Sequence, residues 1–238
     1  MMRYKRVLLK VSGASLAGKA SYGISKDMLD YYAAEIKVVT DMQVQLAVVI
    51  GGGNIFRGLQ GSGKGFDRIQ GDYMGMMATV INAMALQAQL HAVGVKAVIL
   101  SSLPIESICE KMSSRLAIEY LEKGYVVLMS AGTGNPFFTT DTTGVLRALE
   151  IKADILLKGT RVDGVYDKDP EKNPKAVRYE GLTFQDAYNK DLNIMDLTAF
   201  TLCMENNLSI IVFDMNKKKN LQKVVMGENV GTKIFNMD

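Results

Sequence analysis

The stretch "QLAVVIGGGNIFRG", residues 45–58, is a nearly unbroken apolar run that ends in three glycines. A strand with one wet face alternates polar and apolar residues. One as uniformly apolar as Gln45–Ile50 is buried on both faces, as in a parallel sheet covered by helices. The glycines let the chain turn sharply and bring backbone N–H groups close to whatever lies beyond the strand's carboxyl end. Arg6–Val11 and residues 96–100, 125–130, 154–158 and 209–213 are further runs of this kind. Helical patterns separate them. Residues 25–42 carry Leu29, Tyr32, Ile36 and Val39 on one face, with Ser25 placed as the cap. Residues 72–91 read as a long Met-rich helix, and 113–123 (closed by Gly124) and 140–152 as two more. This alternation predicts an α/β protein with right-handed crossovers: a three-layer α/β/α sandwich around a mainly parallel sheet.

After Lys158 the rhythm breaks. "GTRVDGVYDKDPEKNPKA" holds the turn pairs Asp163-Gly164, Asp169-Pro170 and Asn173-Pro174, which predict a hairpin or long loop. No repeat or linker-like tract interrupts the chain. The expected organisation is one domain over residues 1–238, with two lobes dividing near residue 150.

Composition narrows the chemistry. With 48% hydrophobic residues the chain can bury a large core, and a net charge of +3 is too small to point to nucleic acid. Lys217, Lys218 and Lys219 read as a solvated loop. Two distant cysteines, Cys109 and Cys203, and a single histidine, His91, argue against a His/Cys zinc site and against a Ser-His-Asp or Cys-His centre. His91 continues the line Met77, Val80, Ile81, Met84, Ala88 near a helix end marked by Gly94, which predicts a packed or capping histidine. The amino-terminal apolar run is short and broken by Lys10, and no stretch is long enough to span a membrane, so the expected location is the cytoplasm.

In open parallel sheets, ligands lie beyond the carboxyl ends of the strands. The first strand ends in Lys10-Val11-Ser12-Gly13, the second in the glycines and Arg57, the fourth in "AGTGNPFFTTD", and the fifth in Lys158-Gly159-Thr160. Glycines and helix N-termini suit phosphate oxygens, and Lys10, Arg57 and Lys158 bring positive charge to the same edge. Four such ends together predict a phosphate site. The near P-loop "GLQGSGKG", residues 58–65, lacks the final Ser or Thr and does not directly follow a strand, so Lys64 is expected to matter far less than Lys10. Phe56 and Phe137 stand where a dinucleotide G-x-G-x-x-G would need glycine, and protein-kinase signatures are absent.

The segments "KVSG", "VVIGGGNIFRG", "GDYMGM", "SAGTGNPFFTTD", "LLKGTRVDGVYDKDP", "MDLTAF" and "VVMGENVGT" resemble, in this order, the motifs of bacterial and archaeal-type uridylate (UMP) kinases of the amino acid kinase superfamily. The resemblance runs over essentially the whole chain. It implies the amino acid kinase fold and phosphoryl transfer from ATP to UMP, giving ADP and UDP in pyrimidine nucleotide biosynthesis. It further implies that residues 1–150 form the UMP lobe and 151–238 the ATP lobe. By the same resemblance Lys10, Val11, Ser12, Gly13, Gly53, Arg57, Thr160, Tyr166 and Asp169 would bind ATP. Gly52, Asp72, Thr133, Gly134, Asn135, Pro136, Phe137, Phe138, Thr139 and Thr140 would bind UMP. Lys10, Asp141 and Lys158 would be catalytic, with Mg²⁺ carried on ATP. Gly18, Lys19, Ala20, Ser21, Tyr22 and Gly23 would correspond to a GTP-responsive segment; UTP inhibition and a homohexamer are also family traits. One departure is Ala14, where bacterial members often have Glu; it bears on the adjoining loop more than on catalysis. Two other readings stay open: a kinase of the same fold acting on an amino acid carboxylate or carbamate, and a nucleotide-binding regulator or storage protein without turnover.

Overall fold

Arg6–Val11 and Gln45–Ile50 form strands β1 and β2 with the expected bounds in the computed structural model, which describes residues 3–56 and 67–237. A short helix α1 (Gly13–Ala17), a 3-10 turn (Gly18–Ala20) and helix α2 (Lys26–Asp41) connect them. Ser25 caps α2 by accepting the Met28 N–H, as its position in the sequence predicts. Then follow α3 (Arg68–Ala92), β3 (Ala97–Ser101), β4 (Glu110–Lys111), α4 (Ser114–Glu122), β5 (Val126–Ser130), α5 (Thr140–Glu150) and β6 (Ile155–Thr160). The carboxyl-terminal third comprises β7 (Gly181–Thr183), α6 (Phe184–Asn189), α7 (Leu197–Glu205), β8 (Ile210–Asp214), α8 (Asn220–Met226) and β9 (Gly231–Phe235).

Among the described residues the strands form one sheet in the order β4-β3-β5-β2-β1-β6-β8-β9-β7, and its only antiparallel pairing joins β8 to β9. The core divides by sheet face. Val7, Leu9 and Val11 of β1 pack with α2 and α8 residues such as Ile36 and Val224, while Leu8 between them packs with Val145 and Ala148 of α5 on the other face. This is the three-layer sandwich that two-sided apolar strands require. The segment after β6 contains no crossover helix; it is a loop whose antiparallel bridge pairs Tyr166 with Arg178.

Helix α3 departs from its sequence reading in two ways. It begins at Arg68 rather than Asp72, because Asp67 accepts the Gln70 N–H and caps it a turn earlier. Its packed face also differs from the expected line: Val80 is buried, but Met77, Ile81 and Met84 are each over 40% exposed, and Ala83, Leu86 and Leu90 fill the core instead. The helix is apolar on two faces, so a single period does not choose between them. His91 lies in its last turn and pairs through Nε2 with the Ala97 carbonyl at 3.0 Å, linking helix end to strand.

Candidate active site

Strands β1 and β6 are parallel neighbours, and their register sets Lys10 directly opposite Lys158. Both side chains rise to one carboxylate. Lys10 Nζ lies 2.6 Å from Asp141 Oδ1, and Lys158 Nζ lies 2.7 Å from Asp141 Oδ2. Lys158 also donates to the Ile194 carbonyl. Asp141 occupies the first turn of α5, where the helix dipole favours an anion. Thr139 caps that helix, accepting the N–H groups of Asp141 and Thr142. Glycine at position 144 lets α5 lie close over β1, since a Cβ there would meet Lys10 Cγ at 3.4 Å.

All three side chains are largely removed from water, at 13–17% exposure. Burial opposes charge on Asp141, but Lys10 and then Lys158 outweigh it and hold the carboxyl below its ordinary value. Burial, the largest influence, and the neighbouring Lys10 ammonium hold Lys158 below the ordinary lysine value, against an upward pull from Asp141. Lys158 therefore sheds its proton at a lower pH than a free lysine, ~10.4. If its charge is needed for turnover, kcat/KM falls along an alkaline limb that starts below that value, and Lys158→Arg, which stays charged, moves the limb upward. A limb unmoved in the arginine variant's pH profile would assign that titration to another group.

Two cavities open on Lys158, and a third lies beside the residues that precede Asp141 in the chain. One of about 1060 Å³ is lined by Lys10, Ser12, Lys158 and Thr160 together with Gly18, Lys19, Ala20 and Tyr22. A second, of about 550 Å³, shares Lys158 and Thr160 and adds Tyr166 and Asp169. A third, of about 410 Å³, lies across β2 and α3 and takes in Gly52, Gly53, Asp72, Thr133, Phe138, Thr139 and Thr140. The geometry thus offers two pockets that share Lys158, and a third whose wall at Thr139 and Thr140 directly precedes Asp141 in the chain. That arrangement suits transfer of an anionic group between two bound molecules.

Comparison with known proteins agrees. The model of the amino acid kinase family matches residues 5–214. The chain belongs to the amino acid kinase family. Within that family it is similar to uridylate kinases: it is 57% identical to the uridylate kinase of Parabacteroides distasonis and 56% to that of Phocaeicola vulgatus, in each case over 99% of this chain and all of the relative. Among solved structures it is similar to the UMP kinase of Bacillus anthracis, with a TM-score of 0.95 and 34% identity over 99% of this chain and 97% of that one. It is also similar to the UMP kinase of Ureaplasma parvum, at 0.93 and 37% over 99% and 100% of the two chains.

Among the described residues of this amino acid kinase, not every expected site residue lines one of the three cavities. Val11 is a core residue whose carbonyl accepts the Gly51 N–H, and Gly13 is buried against the Gly51 carbonyl. Gly53, expected on the ATP side, lines the same pocket as Gly52. Gly134, Asn135, Pro136 and Phe137 line none of the three cavities described, but the Phe137 N–H donates to Asp72 Oδ2 at 2.8 Å and so ties their loop to α3. Arg68 donates to the same oxygen, 2.9 Å away. Arg57 and the near P-loop at residues 58–65, Lys64 included, lie outside the described residues.

Sequence reading missed the supports behind the site. Asn54 and Asn82, both fully buried, exchange amide hydrogen bonds of 3.0 and 2.7 Å, and Asn82 also donates to the Gly51 carbonyl. Arg147 reaches Ser102 Oγ and the Gly132 carbonyl beneath the Thr133 loop. Asp196 caps α7 while accepting the Thr139 and Thr142 hydroxyls, so it pins the amino end of α5. The available signal was a polar side chain at a buried helical position, which periodicity treats as noise.

Proposed function

We propose that this chain is an ATP-dependent UMP kinase, an enzyme that transfers the γ-phosphoryl group of ATP to UMP and releases ADP and UDP. The observation that carries this reading is the Lys10–Asp141–Lys158 centre, whose lysines open on a two-part cavity and whose carboxylate follows Thr139 and Thr140 of a third pocket. Full-length similarity to uridylate kinases supports the substrate assignment. ATP phosphates would lie along Lys10, Ser12 and Gly13, its base and ribose near Thr160, Tyr166 and Asp169, and UMP in the pocket of Gly52, Asp72 and Thr133. On this reading residues 1–150 form the UMP lobe and 151–238 the ATP lobe, with Lys10, Ser12 and Gly13 of the first lobe reaching the ATP phosphates.

The chemistry asks little of a general base. A phosphate monoester has its second pKa near ~6 and is largely dianionic at neutral pH, so the acceptor is already a nucleophile. What the site must supply is alignment of two anions and neutralisation of charge spread over the transferred group. Lys10 and Lys158 supply it, held in place by Asp141. Among the described residues there is no group of three or more His, Cys, Asp or Glu side chains that could hold a metal. This donor set fits a Mg²⁺ ion that arrives coordinated to ATP oxygens rather than one caged by protein; it would lessen repulsion among those oxygens.

A homohexamer, the family trait, finds support in α3, where Ile69, Tyr73, Met77, Ile81 and Met84 leave an apolar stripe exposed at helical spacing. A monomer in light scattering would overturn it. GTP activation, UTP inhibition and a cytoplasmic location belong to the same reading; among the described residues no helix is long and apolar enough to cross a membrane. The deciding assay is coupled ADP release with UMP, CMP and dUMP as acceptors. Turnover is expected with UMP well above the other two. Turnover only with an amino acid or carbamate would transfer the chain to another branch of the family, and ATP binding without ADP release would make it a regulator.

A further inference from the structure

The turn at residues 18–23 has no cavity of its own among those described. Gly18, Lys19, Ala20 and Tyr22 line the same space as Lys10, Ser12 and Lys158. The turn is also fixed there rather than merely nearby. At its entry Gly18 has φ +59 and packs against Ser25 and Met28, and the Ser25 N–H donates to the Leu16 carbonyl at 2.7 Å. At its exit Gly23 and Asn54 are joined twice: the Gly23 N–H donates to the Asn54 carbonyl, and Asn54 Nδ2 donates to the Gly23 carbonyl, both at 2.8 Å. Asn54 is in turn held by Asn82, whose other bond fixes Gly51. The turn and the glycine bend after β2 therefore move as one piece.

Charge gives that wall a purpose. Lys10 and Lys158 share the Asp141 carboxylate, and Asp27 lines the same cavity, so the two ammonium groups are largely offset. A nucleoside triphosphate facing a phosphate monoester brings several negative charges. Of the other cations lining this cavity, Arg161 is committed to Glu171 at 2.9 Å. Lys19 makes no ion pair among the described residues, and it stands on the fixed turn with an exposed side chain.

We infer that Lys19 is a binding residue for the donor's polyphosphate, and that residues 18–23 act as the outer wall of the donor site. The inference rests on the kinase reading above and adds a donor-site role to the GTP response that the family resemblance implies for this turn. If GTP affects the enzyme through this turn, it does so at the wall of the donor site, through Asn54 and the glycine bend.

The test uses the whole enzyme with two probes that divide the donor: tripolyphosphate, which is all charge, and adenosine, which has none. A charge-assisted contact of this kind is worth roughly ten- to a hundredfold in affinity. Lys19→Gln is expected to raise KM for ATP by about tenfold, at the lower end of that range because the side chain is exposed, and to weaken tripolyphosphate binding in calorimetry by the same factor. Adenosine binding should be unchanged, Lys19→Arg should restore both values, and Lys26→Ala, outside the cavity and paired with Asp30, should match wild type. Three results would overturn the inference: KM and tripolyphosphate affinity within twofold of wild type, a change confined to the GTP response, or equal loss of tripolyphosphate and adenosine. Calorimetry needs no turnover, so a wild-type enzyme that bound tripolyphosphate through Lys19 but released no ADP with UMP would sink the substrate reading and leave this one standing.

Discussion

Asp141→Asn is expected to reduce kcat by about 10²–10³-fold, the scale seen when one preorganised charge contact at a transferred group is lost. The substitution keeps the size and removes the charge. Lys10 and Lys158 face each other across adjacent strands with 13% and 14% of their side chains exposed, and the carboxylate between them offsets their mutual repulsion. Without it the two side chains are pushed apart, and the two anions of the reaction lose their alignment. Stability should fall too, by roughly 2–3 kcal/mol, under the range for fully buried pairs because some solvent reaches these groups. The sign of the pH dependence follows from the lowered pKa of Asp141. Its stabilising contribution is complete above the unfolded carboxyl value of ~3.9 and is lost as pH drops through the lower folded value, so wild type and variant should converge in thermal unfolding only well below pH ~4. Steady-state kinetics within threefold of wild type would reduce Asp141 to a helix N-terminal residue.

That centre was readable because its members sit where the sheet dictates. Lys10 and Lys158 each end an apolar run, and the rule that ligands gather beyond the carboxyl ends of parallel strands places them together before any contact is known. β1 and β2 were legible to the residue, since strands buried on both faces leave an unbroken apolar signature. The edges were not. β4 is the exposed pair Glu110–Lys111, and β7 is three residues long; neither buries enough to write a pattern. β9 pairs antiparallel to β8 through Gly231–Phe235, a run too mixed to stand out.

The supports behind the site were opaque for a related reason. Asn82 lies on the buried side of α3, and its value comes from Asn54 and the Gly51 carbonyl, both distant in sequence. A hydrogen-bond pair across 28 positions has no local signal. Apolar periodicity finds the faces that pack, and on α3, with two such faces, it favoured the exposed one. The face it chose, with Met77, Ile81 and Met84, is nevertheless the one an assembly would need.

Gly13→Ala should be the most damaging change of a single methyl group. A Cβ at this position would stand 2.3 Å from the Gly51 carbonyl oxygen and 2.5 Å from Asn54 Oδ1, and the first of these is backbone. Neither neighbour can swing clear. The Gly51 carbonyl is held by Asn82 and its N–H by the Val11 carbonyl, while Asn54 is bound to Asn82 and Gly23. Relief must come from separating the β1 end, which carries Lys10 and Ser12, from the glycine bend, which carries Gly52 and Gly53. The proposed function builds the two sides of the reaction on those two segments, so a shift of about 1 Å between them is expected to cost around 10²-fold in kcat/KM. Overpacking should also cost roughly 1–3 kcal/mol in stability. The control is Gly181→Ala on β7, where a Cβ meets nothing closer than 3.4 Å; its kinetics should match wild type. Because the clash pushes on both substrates' supports, KM for ATP and for UMP should rise together as kcat falls. A variant that lost stability yet kept both KM values and kcat would show that the bend yields without disturbing the chemistry, and would break the link between this close approach and catalysis.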